Sequence, residues 1–182
     1  SINTDFSKTL NAINSLASGF ELTNNKLVST AKNFELVIEN NRVIDRILSK
    51  SLSRYPSNGS KYGSMATYFE FRKKISPKAN LSIGTRYSLI DISASWDQNF
   101  LMDSNLYGFF RQFEDLNFTN SAITTSIGLS QLTNNFNKIS INLSSGFRAP
   151  NIDDVGKIRE NSGILTVPNS KLKPENAYTI DL

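Results

Sequence analysis

The chain has 182 residues, 38% of them hydrophobic, a formal net charge of +4, and neither cysteine nor histidine. That composition excludes disulfide frameworks, thiol nucleophiles, histidine acid/base pairs and the usual Zn, Fe or Cu sites, and the scattered Lys and Arg leave no nucleic-acid footprint. The length fits one domain, 1–182, and abundant Ser, Asn, Thr and Phe favour half-buried strands joined by polar turns.

Ser1 to Leu10 alternates, with Ile2, Thr4, Phe6 and Leu10 on one face and Asn3, Asp5, Ser7 and Thr9 on the other. A polar break at Asn11 to Ser15 leads to a second alternating stretch, Leu16 to Ser29, and the two predict a hairpin. A long excursion then runs from Thr30 to Lys61. Within it, Glu39-Asn40-Asn41 is a turn candidate between apolar runs. Arg42 to Leu52 also fits helical spacing through Val43, Ile44, Ile47 and Leu48, so hairpin and helical turn stand as equal readings. Tyr55 to Ser60, with Pro56 and Gly59, reads as loop.

From Gly63, Met65, Thr67, Phe69 and Phe71 oppose Ser64, Ala66, Tyr68, Glu70 and Arg72. After a short turn containing Pro77, Leu81 to Leu89 gives the cleanest alternation of all. A second long connection, Asp91 to Asn120, carries Trp96, Phe100, Met102, Tyr107, Phe109, Phe110, Arg111 and Phe113. It is too long for a simple turn, and Trp96, Tyr107 and Phe109 are its candidate ligand-stacking aromatics, the plainer reading being that they pack the loop on itself or anchor it at the membrane interface. Ser121 to Leu132 and Lys138 to Phe147 are two more alternating segments, separated by a third short turn, Thr133 to Asn137.

Connections therefore alternate short, long, short, long, short, long. The polar face is built of small residues with isolated charges, Glu21 and Arg86 among them, which are candidate contacts to a lumen or a plug. Both properties predict an all-β fold, an antiparallel transmembrane β-barrel with short periplasmic turns, long extracellular loops and lipid-facing residues alternating with lumen-facing ones. About seven strands cannot close such a barrel, because every edge N–H and C=O in lipid needs a partner, so the chain is expected to be partial and cut from a longer one. The alternative is a soluble or surface β-sandwich used in adhesion or carbohydrate binding, which does not readily account for three long loops at one end.

The richest passage is Ser144 to Leu182. Its Gly146-Phe147-Arg148-Ala149-Pro150-Asn151 run, followed by Asn169-Ser170-Lys171-Leu172-Lys173-Pro174-Glu175, resembles the GFRAPN and NPxLKPE segments of TonB-dependent outer-membrane receptors, and Gly84-Thr85-Arg86-Tyr87 is similar to their G-x-R-Y strand. The Asn151-Ile152-Asp153-Asp154 continuation and the Asn-rich composition look most like Bacteroidetes-type receptors. The resemblance implies a barrel of about 22 strands, of which this chain supplies part, with an N-terminal plug domain outside it. It further implies a receptor in the outer membrane of a Gram-negative bacterium, surrounded by outer-membrane lipid, that imports a scarce small-molecule ligand with energy from a TonB complex. A siderophore or other metal chelate leads, with vitamin or glycan open. Haem receptors of this superfamily typically carry a histidine between these two segments, and the absence of histidine counts against haem.

The motif also has a physical reading. Pro150 lacks an N–H and restricts Ala149, so the strand ladder ends there, while Pro174 sits just before a strand, where a missing donor does least harm. Asn151 or Asp153 is positioned to cap a short helix running to Lys157 or Ile158, and Arg148 and Glu175 are expected in an ion pair or hydrogen-bond network at the barrel rim. Asp153-Asp154 lacks the spaced oxygen ligands of a calcium loop. No cofactor is expected and no enzyme, since the abundant serines have no histidine to activate them.

Overall fold

Period-two alternation dictates strands, and strands dominate the computed structural model, which describes residues 1–49, 53–97, 115–134 and 136–182. In chain order they are β1 (Ile2–Thr9), β2 (Asn14–Leu27), β3 (Asn33–Glu39), β4 (Arg42–Ser49), β5 (Gly59–Ser76), β6 (Ala79–Ser95), β7 (Leu116–Leu132) and β8 (Lys138–Arg148). A helical turn α1 (Ile152–Val155) precedes β9 (Arg159–Asn161), β10 (Ile164–Thr166) and β11 (Glu175–Asp181). One antiparallel sheet takes seven of them in the order β1-β2-β5-β6-β7-β8-β11, and β3-β4 and β9-β10 are separate hairpins inserted in the first and third long connections. No second large sheet packs on the first among the described residues, so the sandwich alternative is not the architecture. The sheet is open, with β1 and β11 as its edges. No helix is long and apolar enough to cross a membrane among the described residues, which bears only on helices.

Register places the faces. Leu22, Met65 and Leu89 form one cross-strand row, and Leu16, Phe71, Ile83, Ile127, Leu143 and Ile180 form another on the same face. Much of this outward face stays exposed, with Phe69 at 53% and Ile127 at 49%, while Leu16, Phe71 and Leu89 are half-buried. An apolar face left open in this way would be a liability in water and is the expected surface toward lipid. The band runs from Leu81 to Leu89 on β6, about 26 Å along a strand at about 3.3 Å per residue, or about 20 Å of height at a tilt of about 40°, somewhat less than an apolar belt of roughly 25 Å. The strands themselves are longer than the roughly 9–11 residues a membrane requires: β5 has 18, β6 and β7 have 17 each. Their surplus lies at the long-loop end, where β5 begins at Gly59 rather than near Gly63 and β6 runs on to Ser95.

The turns follow from local chemistry. Asn11 Oδ1 accepts from the N–H groups of Ile13 and Asn14, and Asn134 Oδ1 does the same for Phe136 and Asn137, so two of the short turns are closed by an asparagine side chain. Between β3 and β4 the choice falls to the hairpin. Asn40 and Asn41 both take positive φ, 49° and 63°, the twist that a two-residue turn needs and that asparagine tolerates. A register shift at Val37/Ile38 absorbs the residue that made the Val43-Ile44 pair look helical.

Candidate functional site

Two regions gather chemistry: the inner face of the sheet and the mouth, where the long connections meet. On the inner face, register lays out the row Asp5, Gly19, Tyr68, Arg86, Thr124 across five strands, and the row Glu21, Ala66, Ser88 beside it. Arg86 on β6 reaches over β5 to Glu21 on β2, donating Nη1 to Oε1 at 3.0 Å and Nη2 to Oε2 at 2.5 Å. Ala66, 5% exposed, lies beneath the pair, and its single methyl leaves room for the crossing. Tyr68 lies across Gly19 to donate its O–H to Asp5, and a Cβ at position 19 would overlap the Tyr68 ring. Both candidate lumen residues are thus brought together and spent on each other. Beside them, Tyr68, Glu70, Gly84, Thr124 and Ser126 border a shallow hollow of about 270 Å³.

Each ion of the Arg86–Glu21 pair is more than a third exposed, 38% and 40%, so solvent screens it. A double-mutant cycle with Arg86→Gln and Glu21→Gln is expected to return a coupling of about 1 kcal/mol or less. A coupling of several kcal/mol would mean the pair is sealed by a further domain in the assembled protein.

Above the apolar band the inner face changes character. Ile92, Ala94 and Trp96 on the β6 side and Leu116 on β7 are buried, and with Val155 and Ile158 most of them form a hydrophobic core against which Phe118, Ile152 and Leu172 pack. This core is what folds the third long connection inward over the sheet. Backbone bonds complete the assembly: Ile158 N donates to Arg54 O at 2.9 Å, Asn169 N to Val155 O at 2.9 Å, and Asn58 N to Ser95 O at 3.2 Å. Trp96 is 3% exposed, so its ring is a packing element and presents no stacking surface to solvent. Tyr107 and Phe109, with Phe100, Met102, Phe110, Arg111 and Phe113, lie outside the described residues.

The Gly146 to Asn151 segment and the Asn169 to Glu175 segment meet at the foot of this core. Gly146 and Phe147 pair with Ala177 and Asn176, and Arg148 pairs with Glu175 as β8 ends and β11 begins. Arg148 Nη1 donates to Glu175 Oε1 at 3.1 Å and Nη2 to Asp154 Oδ2 at 2.8 Å. Ala149 is half-buried and Pro150 buried, and Asn151, not Asp153, caps α1: its Oδ1 accepts from the N–H groups of Asp153 and Asp154, while Asp154 Oδ2 accepts from the Asn151 N–H. Gly156 ends α1 after one turn, with Val155 its last residue, two before Lys157. Asn169 Oδ1 accepts from Lys171 N, Leu172 joins the core, Lys173 is exposed and Pro174 half-buried. Asp153 accepts instead from Tyr55 Oη, 98 residues away, at 2.5 Å and from Lys157 Nζ at 3.1 Å. Sequence reading missed Tyr55, Lys157, Asp5 and Tyr68, and only the register could have paired Asp5 with Tyr68.

Hydrogen bonding from Tyr55, then from Lys157, holds the Asp153 carboxyl below the ordinary range, and the same carboxylate pushes the Tyr55 phenol up. A depressed carboxyl contributes stability above its unfolded pKa and loses it as pH falls through the folded one, and a raised phenol loses its contribution only as pH rises through its own. The contact is therefore expected to be intact from about pH 4 to about pH 10 and weakened outside that window. Amide exchange at Ile158, corrected for intrinsic rate, should be level between those limits and rise below the lower one, and Asp153→Asn should abolish the rise.

No cluster of three or more metal-ligating side chains occurs among the described residues. The family model described as TonB dependent receptor-like, beta-barrel matches residues 2–182. No curated protein and no solved structure matches the chain.

Proposed function

Since this chain belongs to the TonB-dependent receptor-like β-barrel family, we propose that it is part of the wall of a receptor that takes up a siderophore or other metal chelate across the outer membrane of a Gram-negative bacterium. The family is one of outer-membrane transport receptors rather than of enzymes, and it implies a TonB partner, a plug and a small-molecule ligand in general terms. The observation that supports the cargo reading best is the mouth: Trp96 of the second long connection and Val155 and Ile158 of the third share one buried core at a single end of the sheet, and backbone bonds at Arg54 and Asn58 tie the first to that end, so the ligand-facing surface is built on rigid packing. The inner face, with its Arg86–Glu21 and Tyr68–Asp5 contacts and small side chains, suits a plug domain supplied by the rest of the protein. The Gly146 to Asn151 and Asn169 to Glu175 segments act as rim architecture that anchors the mouth, with direct ligand contact left to other loops.

The test is uptake. A strain lacking the full-length protein is expected to lose TonB-dependent accumulation of at least one radiolabelled ferric siderophore and to regain it on complementation. Unchanged accumulation across a panel of iron chelates, with loss of a vitamin or glycan instead, would replace the cargo while keeping the receptor.

A further inference from the structure

We propose that the outward face of the short-turn rim, through Lys8, Lys73 and Lys78, binds the phosphate groups of anionic phospholipids in the leaflet at that end of the barrel. The inference rests on the membrane-barrel reading and adds a ligand class to a surface that transport does not use. Lys8, after Phe6 on the outward side of β1, is in register with Leu16, and Lys73, after Phe71 on the outward side of β5, is in register with Leu81, so both stand in the last two outward rows of the apolar band at its short-turn edge. Lys78 occupies the two-residue turn between β5 and β6. All three are exposed, and none of their ammonium groups has an ion-pair or hydrogen-bond partner among the described residues.

Charge balance selects this end. The outward face beyond the opposite edge of the band also has lysines, Lys26 directly across from Lys61, but Asp91 and Asp115 stand on the neighbouring strand positions and offset them. At the short-turn rim the nearby carboxylates point the other way: Glu70 is on the inner face and held by Arg72 at 2.7 Å, and Asp181, paired with Asn142, is also on the inner face. The outward rim is therefore a patch of unopposed positive charge. Its lysine stems lie along apolar surface while the ammonium groups extend to headgroup depth, the geometry that long cationic side chains adopt at a bilayer boundary. Ile13, Ile75 and Phe136 project at the same level, exposed at 49%, 55% and 96%, and provide apolar anchors into the same interface.

The proposal is tested on the full-length protein in nanodiscs of mixed phosphatidylglycerol and phosphatidylcholine, by weighing lipids retained after partial delipidation in native mass spectrometry. Wild type is expected to retain phosphatidylglycerol in preference to phosphatidylcholine, and Lys8→Gln/Lys73→Gln/Lys78→Gln to lower that preference by about fivefold or more, while Lys26→Gln/Lys61→Gln leaves it in place. Millimolar inorganic phosphate should not displace the lipid. Equal retention by wild type and the triple variant would overturn the proposal, as would displacement by free phosphate, which would mark a soluble anion site instead. Failure of the wild-type protein to enter nanodiscs at all would overturn the barrel reading and this inference with it. Insertion without lipid preference would overturn this inference alone.

Discussion

Replacing Trp96 with alanine is expected to destabilise the mouth by about 3–5 kcal/mol, the usual cost of emptying a buried aromatic site. Trp96 sits in the core with Ala94, Leu116, Val155 and Ile158, and the helical turn α1 is held inward by Val155 within that core and Ile152 against it. The loss should appear as faster exchange at the Ile158 amide, whose hydrogen bond to Arg54 joins the third connection to the first, and at the Asn169 amide, whose bond to Val155 folds the third connection on itself. At about 1.4 kcal/mol per tenfold, the acceleration is on the order of 100-fold or more, provided the mouth opens as a unit. Trp96→Phe is the informative control. The indole Nε1 is buried without a partner among the described residues, so Phe keeps most of the packing and removes an unpaired donor. If Trp96→Ala leaves both amides protected, the first and third connections are held by their backbone bonds and the core is incidental.

Phe69→Arg is expected to cost about 2–4 kcal/mol in a bilayer, because Phe69 lies at mid-height of the outward apolar band, in register with Thr85 on β6 and Ser18 on β2. The same change at Ser144, on the inner face in register with Ser126 and Thr179, should cost far less, since that face is polar and open. Equilibrium unfolding of the full-length protein from lipid vesicles compares the two. Equal penalties would show that both faces meet the same environment and that the assignment of lipid and lumen is wrong. In detergent-free water the contrast should vanish, because the cost belongs to the hydrocarbon and not to the sheet.

Much of this architecture was legible because side-chain alternation is a local property. Ile2, Phe6, Leu16, Phe69, Ile83 and Ile127 declare their face by parity alone, and parity with three short and three long connections sufficed for a single antiparallel meander. Asn40-Asn41 was legible as a turn yet not decisive, since Val43, Ile44, Ile47 and Leu48 suit a helix as well. The register shift at Val37/Ile38 is a choice made by pairing, which no propensity reports. The boundaries of β5 and β6 were misjudged for a related reason: above the band, Tyr62, Gly63 and Ser93 lose the apolar alternation but keep the hydrogen-bond ladder.

The candidate site divides in the same way. The Arg148 to Asn151 and Lys173-Pro174-Glu175 segments were identifiable from their residues, since proline ends a ladder and asparagine caps a helix through atoms that are close in the chain. Packing was the plainer of the readings for Trp96, but its partners were not legible, because Val155 and Ile158 lie some sixty residues on.

The sequence by itself determined the strands, their faces, the ends at which loops are short or long, and the family, all of which follow from residue types at fixed local spacing. The tertiary structure alone decided that Glu21 answers Arg86 across β5, that Tyr55 holds Asp153, and that the third long connection folds inward onto Trp96. Each of those is a contact between segments far apart in the chain, and its partner is set by strand register and packing, which period-two patterning leaves unspecified.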